Sequence, residues 1–158
     1  MTPGRSHRAA LRRLAGLACA ATAACTQLVP DVGPLLAGVC DNADTNPAEP
    51  VSFSAQIRPI LSRPMAGCGG HMPTAAGAGP ATVITGLDLS SLSSLRAGGR
   101  SSGPRIVVDL EPCASILYQK VDEAPPFGSR MPLGGPPFLS DGEIRLLHDW
   151  IAEGASDN

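Results

Sequence analysis

The residues best able to do chemistry lie in one short run, "MAGCGGHMP", from Met65 to Pro73. Cys68 is followed two residues later by His71, a thiol and an imidazole at C-x-x-H spacing. A covalent haem site uses C-x-x-C-H, two thiols for the vinyl groups and an adjacent histidine for the iron. This chain offers one cysteine fewer. On an α-helical backbone His71, three residues after Cys68 rather than four, is rotated by about 100° from the ligand position. Gly69 and Gly70 are expected to absorb part of that misfit, because glycine reaches backbone angles closed to other residues. Reading Met65 and Cys68 as the two attachment positions fails, since Gly69 then falls where the ligand belongs. A zinc site needs four ligands, commonly in two close pairs. Beyond Cys68 and His71, the chain after residue 25 has only Cys40, Cys113, His148 and acidic residues to offer, none paired in sequence. Taken locally, three readings stay open: a haem site with one thioether, another metal site, and a glycine turn with a structural or disulfide-bonded cysteine. Met65 and Met72 flank the run and read as packing residues, as does His148 on the edge of a buried stripe.

The elements around this run are short. Eighteen glycines and sixteen prolines among 158 residues predict long loops. The five aromatics, Phe53, Tyr118, Phe127, Phe138 and Trp150, all lie in the second two-thirds of the chain. Aromatics dominate core energetics, so the folded domain is expected over residues 51–156. Five make a thin core, one that a buried prosthetic group would help fill. Phe53, Ile57, Ile60 and Leu61 form an apolar stripe at helical spacing, with Pro59 expected to kink or split the helix. "GLDLSSLSSLRAGG" predicts a short helix ending at Gly98-Gly99. The segment at 106–108 reads as extended. A helix then starts near Pro112 with Ile116, Leu117, Tyr118 and Val121 on its buried side. "EAPPFGSRMPLGGPPF" is a proline-stiffened loop around Met131. The last helix carries a capping box, Ser140 with Glu143, a Leu139–Ile144 staple, and a stripe of Ile144, Leu147, Trp150 and Ile151. Gly154 is the expected terminator. Three or four helices with little strand make the domain all-α.

The first 24 residues read as an export signal: Arg5, His7, Arg8, Arg12 and Arg13, then the apolar "LAGLACAATAA". "TAAC" resembles a lipobox, with Cys25 as the acylated residue and membrane attachment through it; ordinary cleavage nearby is the other option. Residues 25–50 read as a linker or irregular arm. In an oxidising compartment the remaining Cys40, Cys68 and Cys113 leave one thiol over. Cys40 with Cys113 is an economical pairing, and pairings through Cys68 are equally legal. A net charge of −2, with 16% charged residues, gives no attraction for nucleic acid or an anionic membrane surface. No catalytic triad or carboxylate pair points to an enzyme.

In order along the chain, "FSAQIRPIL", "GLDLSSLSSL", "ASILYQKV" and "SRMPLGGPPFLSDGEIRLLHDWIAEGA" resemble planctomycete-type cytochrome c domains and related cytochrome c-like modules of exported bacterial proteins. The resemblance covers about two-thirds of the chain. It implies a small helical cytochrome c fold and electron transfer with a redox partner protein. It implies haem c attached through Cys68, with His71 as proximal ligand and Met131 as distal thioether ligand. The departure is the attachment motif, one cysteine short. The alternative is a haem-less relict of that fold, a cell-surface structural or partner-binding module in which Cys68 pairs with Cys40 or Cys113.

Overall fold

A computed structural model describes residues 40–64, 67–123 and 125–158. The expected export signal, the Cys25 lipidation site and Met65 lie outside the described residues.

The described chain is helical and has no β-strand; one isolated bridge joins Thr74 and Gly77. It has five α-helices rather than three or four: α1 (Arg58–Ser62), α2 (Pro80–Thr85), α3 (Leu92–Ala97), α4 (Ile116–Val121) and α5 (Asp141–Ala152). The extra one is α2, begun by Pro80 at its first position and ended by left-handed Gly86. Its large apolar residues, Val83 and Ile84, face solvent, so no apolar stripe announces it. The structure does not show the split expected at Pro59: a π-helical turn, Phe53–Ile57, runs directly into α1 with Ile57 and Arg58 both right-handed helical, and Pro59 falls in the first turn of α1.

Two expectations are corrected. Ile106 closes a 3₁₀ turn, Gly103–Ile106, and Val107 beyond it is extended. No strand partner is needed there, because the Ser115 hydroxyl accepts from the Val108 amide at 2.8 Å and the segment is satisfied locally. The helix expected from Pro112 is a 3₁₀ turn, Pro112–Ala114, followed after Ser115 by α4. On α4 the buried residues are Ile116, Leu117, Lys120 and Val121, while Tyr118 is only partly buried. Lys120 thus belongs to the buried stripe, and Tyr118, expected there, lies at its edge.

α5 organises the rest. Ser140 and Glu143 form the capping box, and Leu139 is buried beside it. At the other end the amides of Gly154 and Ala155 bond the carbonyls of Ile151 and Trp150, the paired bonds of a Schellman terminus. Gly154 supplies the required positive φ of 93°. Arg96 of α3 donates to the carbonyls of Gly154 and Ala155, at 3.2 and 2.9 Å. Trp150, fully buried, packs against Phe53 with centroids 5.3 Å apart. Phe127 and Phe138 remain largely exposed, so the core is mostly aliphatic around one aromatic pair.

Residues 40–50 carry no helix or strand, yet they are tied to the domain. Cys40 is disulfide-bonded to Cys113, with Cα atoms 5.7 Å apart. The Asn42 side chain accepts from the Cys113 amide, and His148 Nε2 lies 2.6 Å from the Asp41 carbonyl. The buried Asp149 carboxylate accepts from the Thr45 amide at 3.0 Å and its hydroxyl at 2.6 Å. His148 Nδ1 lies 3.0 Å from the same carboxylate. Cys40, Cys113 and His148 approach within 4.8 Å of one another. With the two sulfurs bonded to each other, that trio is a clasp and not a zinc-ligand set. His148 is a structural histidine here.

Two outcomes follow. Replacing Cys40 and Cys113 together by serine should lower stability by about 2–5 kcal/mol, read as a lower urea midpoint than the oxidised wild type. Burial alone would raise the Asp149 carboxyl, but the hydrogen bonds from Thr45 and His148 prevail and hold it below its ordinary 3.8. Its contribution is therefore complete above that value and lost as pH falls through the lower folded one. Asp149→Asn should cost about 1–3 kcal/mol at pH 7, and the gap to wild type should close in strong acid.

Candidate functional site

Cys68, His71 and Met131 are brought together: all three line two adjoining cavities of about 240 and 370 Å³. Each is positioned by a different device.

Cys68 and His71 sit on a 3₁₀ turn, Gly69–His71, in which the His71 amide bonds the Cys68 carbonyl at 2.9 Å. This corrects the expectation of a rotated histidine. Side chains three residues apart eclipse in a 3₁₀ turn, so Cys68 and His71 share a face. The glycines serve differently than expected too. Neither Gly69 nor Gly70 has a positive φ. Gly69 is required for space, since a Cβ there would lie 2.7 Å from the Arg63 carbonyl oxygen and 2.9 Å from the Pro64 Cα.

His71 is 9% exposed. Its Nδ1 lies 3.0 Å from the Leu87 carbonyl, which can only accept, so Nδ1 carries the proton. The Thr85 hydroxyl, 3.4 Å away, already donates to the Ala81 carbonyl and reinforces the same tautomer as a second acceptor. With Nδ1 committed to that carbonyl, Nε2 is the ring nitrogen left over, and it has no hydrogen-bond partner among the described residues. An imidazole with one nitrogen anchored on a backbone carbonyl and the other free is the usual posture of a metal-ligating histidine.

Cys68 is free and buried, not paired with Cys40 or Cys113. Burial pushes its thiol up to about 11, with the Arg63 charge opposing that only in part. At neutral pH it is a protonated thiol, unsuited to nucleophilic catalysis. Met131 lies on the long loop after α4, which is fastened at three points. The Met131 amide donates to the Lys120 carbonyl at 2.6 Å, and Arg130 Nε to the Val121 carbonyl at 2.9 Å. The Lys120 ammonium donates to the carbonyls of Phe127 and Ser129. Met72 packs against the core instead.

The remaining walls are chiefly aliphatic, among them Leu87, Leu89, Ile106, Leu117 and Val121. These residues fit a haem. The combined space is of the size that cofactor sites occupy. One nitrogen and one thioether sulfur are available as axial donors, and one thiol, not two, is available for a covalent link. Sequence reasoning missed Thr85, Leu87 and Lys120. The signal for Lys120 was present, since positions 116, 117, 120 and 121 form one helical stripe.

Among the described residues no helix is long and apolar enough to cross a membrane. No protein-family model matches the chain, and neither a curated protein nor a solved structure matches it.

Gly69→Ala should force the turn out of register and lower stability by about 1–3 kcal/mol. Gly70→Ala, whose Cβ would meet only the Ala81 methyl at 3.3 Å, should cost clearly less in the same urea titration.

Proposed function

We propose that this chain is an exported, cytochrome c-like electron carrier that holds one haem in the cavity lined by Cys68, His71 and Met131. The observation that carries the reading is the His71 ring. Its Nδ1–H is committed to the Leu87 carbonyl, and its Nε2 is left free in a cavity shared with a methionine sulfur and an unpaired thiol. The resemblance to planctomycete-type cytochrome c domains points the same way.

In this reading His71 Nε2 and Met131 Sδ would hold the iron and Cys68 would supply a single thioether. The bound group supplies a one-electron iron couple, at the raised potential that His/Met ligation gives. The protein's own work is to hold those donors and to keep water from the iron with aliphatic walls. The Leu87 carbonyl sets the tautomer and aims the ring, while the α4 staples keep Met131 from swinging away. No substrate chemistry is assigned, and the partner is another redox protein. The Cys40–Cys113 disulfide supports export, because such bonds persist in oxidising compartments. Lipidation at Cys25 is part of the same proposal and rests on the sequence alone.

The test is production with a cytochrome c maturation system, followed by a pyridine haemochrome spectrum and a haem-stained denaturing gel. One haem per chain with a single-thioether spectrum is expected. His71→Ala should abolish stoichiometric haem, and Met131→Ala should keep the haem but lower its midpoint potential. A protein with no Soret band and no stained band would end this reading and leave the haem-less partner-binding module.

A further inference from the structure

Lys120 is the one charged residue lining either cavity, and no aspartate or glutamate lines them, among the described residues. Its burial is unusual for lysine, at 9% exposed. No carboxylate lies within ion-pair distance of it among the described residues. Its ammonium has three protons. Two go to the carbonyls of Phe127 and Ser129, and the Phe127 ring lies 5.0 Å below the nitrogen. Neutral carbonyls and a ring face solvate a cation, but they do not neutralise it. Burial accordingly pulls the Lys120 ammonium below its ordinary value, with no opposing negative charge. The hydroxyls of Ser101 and Ser102 belong to the same wall.

An uncompensated cation at the side of an otherwise aliphatic cavity discriminates among ligands. A purely apolar molecule leaves the charge buried and unpaired. A molecule with an apolar body and an acidic edge gives it a charge-assisted hydrogen bond. We propose that Lys120 is an anion seat, and that the cavity takes a flat apolar ligand carrying a carboxylate, which docks on the third Lys120 proton. This rests on reading the cavity as a prosthetic-group site. For a haem, the carboxylate is one of its propionates. The seat is a property of the chain itself and needs no iron.

The experiment uses the full chain, purified without prosthetic group, and titrates it by fluorescence with two probes in one detergent buffer. The first is metal-free protoporphyrin IX, the second its dimethyl ester. The wild type should bind the acid at least about tenfold more tightly than the ester, the scale of one charge-assisted hydrogen bond. Lys120→Met should erase that preference by weakening the acid and sparing the ester, and Lys120→Arg should keep it. Lys120 also staples the Met131 loop, so a variant that merely loosens the cavity would weaken acid and ester alike. That result overturns the proposal, as does a wild type that binds neither probe or shows no preference. If the haem test fails while the acid preference stands, the seat is real and the iron reading is not.

Discussion

Loops cannot use a ladder to satisfy their backbone, and about half of the described chain is loop. Buried N–H and C=O groups still need partners, so side chains from the few regular elements must supply them. α5 and the tail behind it do most of this. Asp149 and His148 take the 41–45 stretch, and Glu153 accepts from the Val51 amide at 2.8 Å. Ile151 offers its carbonyl to the Leu110 amide, and the Asn158 side chain accepts from the Phe53 amide. Three separate segments, 41–45, 51–53 and Leu110, therefore close on one twelve-residue helix and its tail. The hydrophobic contact of Trp150 with Phe53 then fills the space those bonds define.

The cavity inherits its shape from this arrangement without being part of it. One wall is the turn bearing Cys68 and His71, backed by α2 through Thr85 and by the Leu87 carbonyl. The opposite wall is α4 and the loop it fastens. Residues of both walls line the two adjoining cavities together.

Legibility in the sequence followed the range of the forces involved. α5 was readable because its capping box, stripe and glycine stop are all local. α2 was not, since its Val83 and Ile84 are exposed and its place is set by what it carries to His71. The arm could be read as irregular, but not as tied down by Asp149, because that carboxylate is over a hundred residues away in sequence. Cys68, His71 and Met131 were singled out from residue type and resemblance. The partners that fix them, the Leu87 carbonyl and Lys120, are a backbone atom and a lysine on a helix, neither of which advertises itself. The geometry of the C-G-G-H run was misread because an α-helical pitch was assumed for it.

That pitch has a metric consequence. An α-helix climbs about 1.5 Å per residue, so a cysteine and a histidine four apart are separated by about 6 Å along the axis. A 3₁₀ turn climbs about 2 Å per residue, so three residues cover the same about 6 Å. The tighter winding thus makes up the length that the missing residue would have contributed, and brings the two side chains into closer angular alignment than the longer spacing gives.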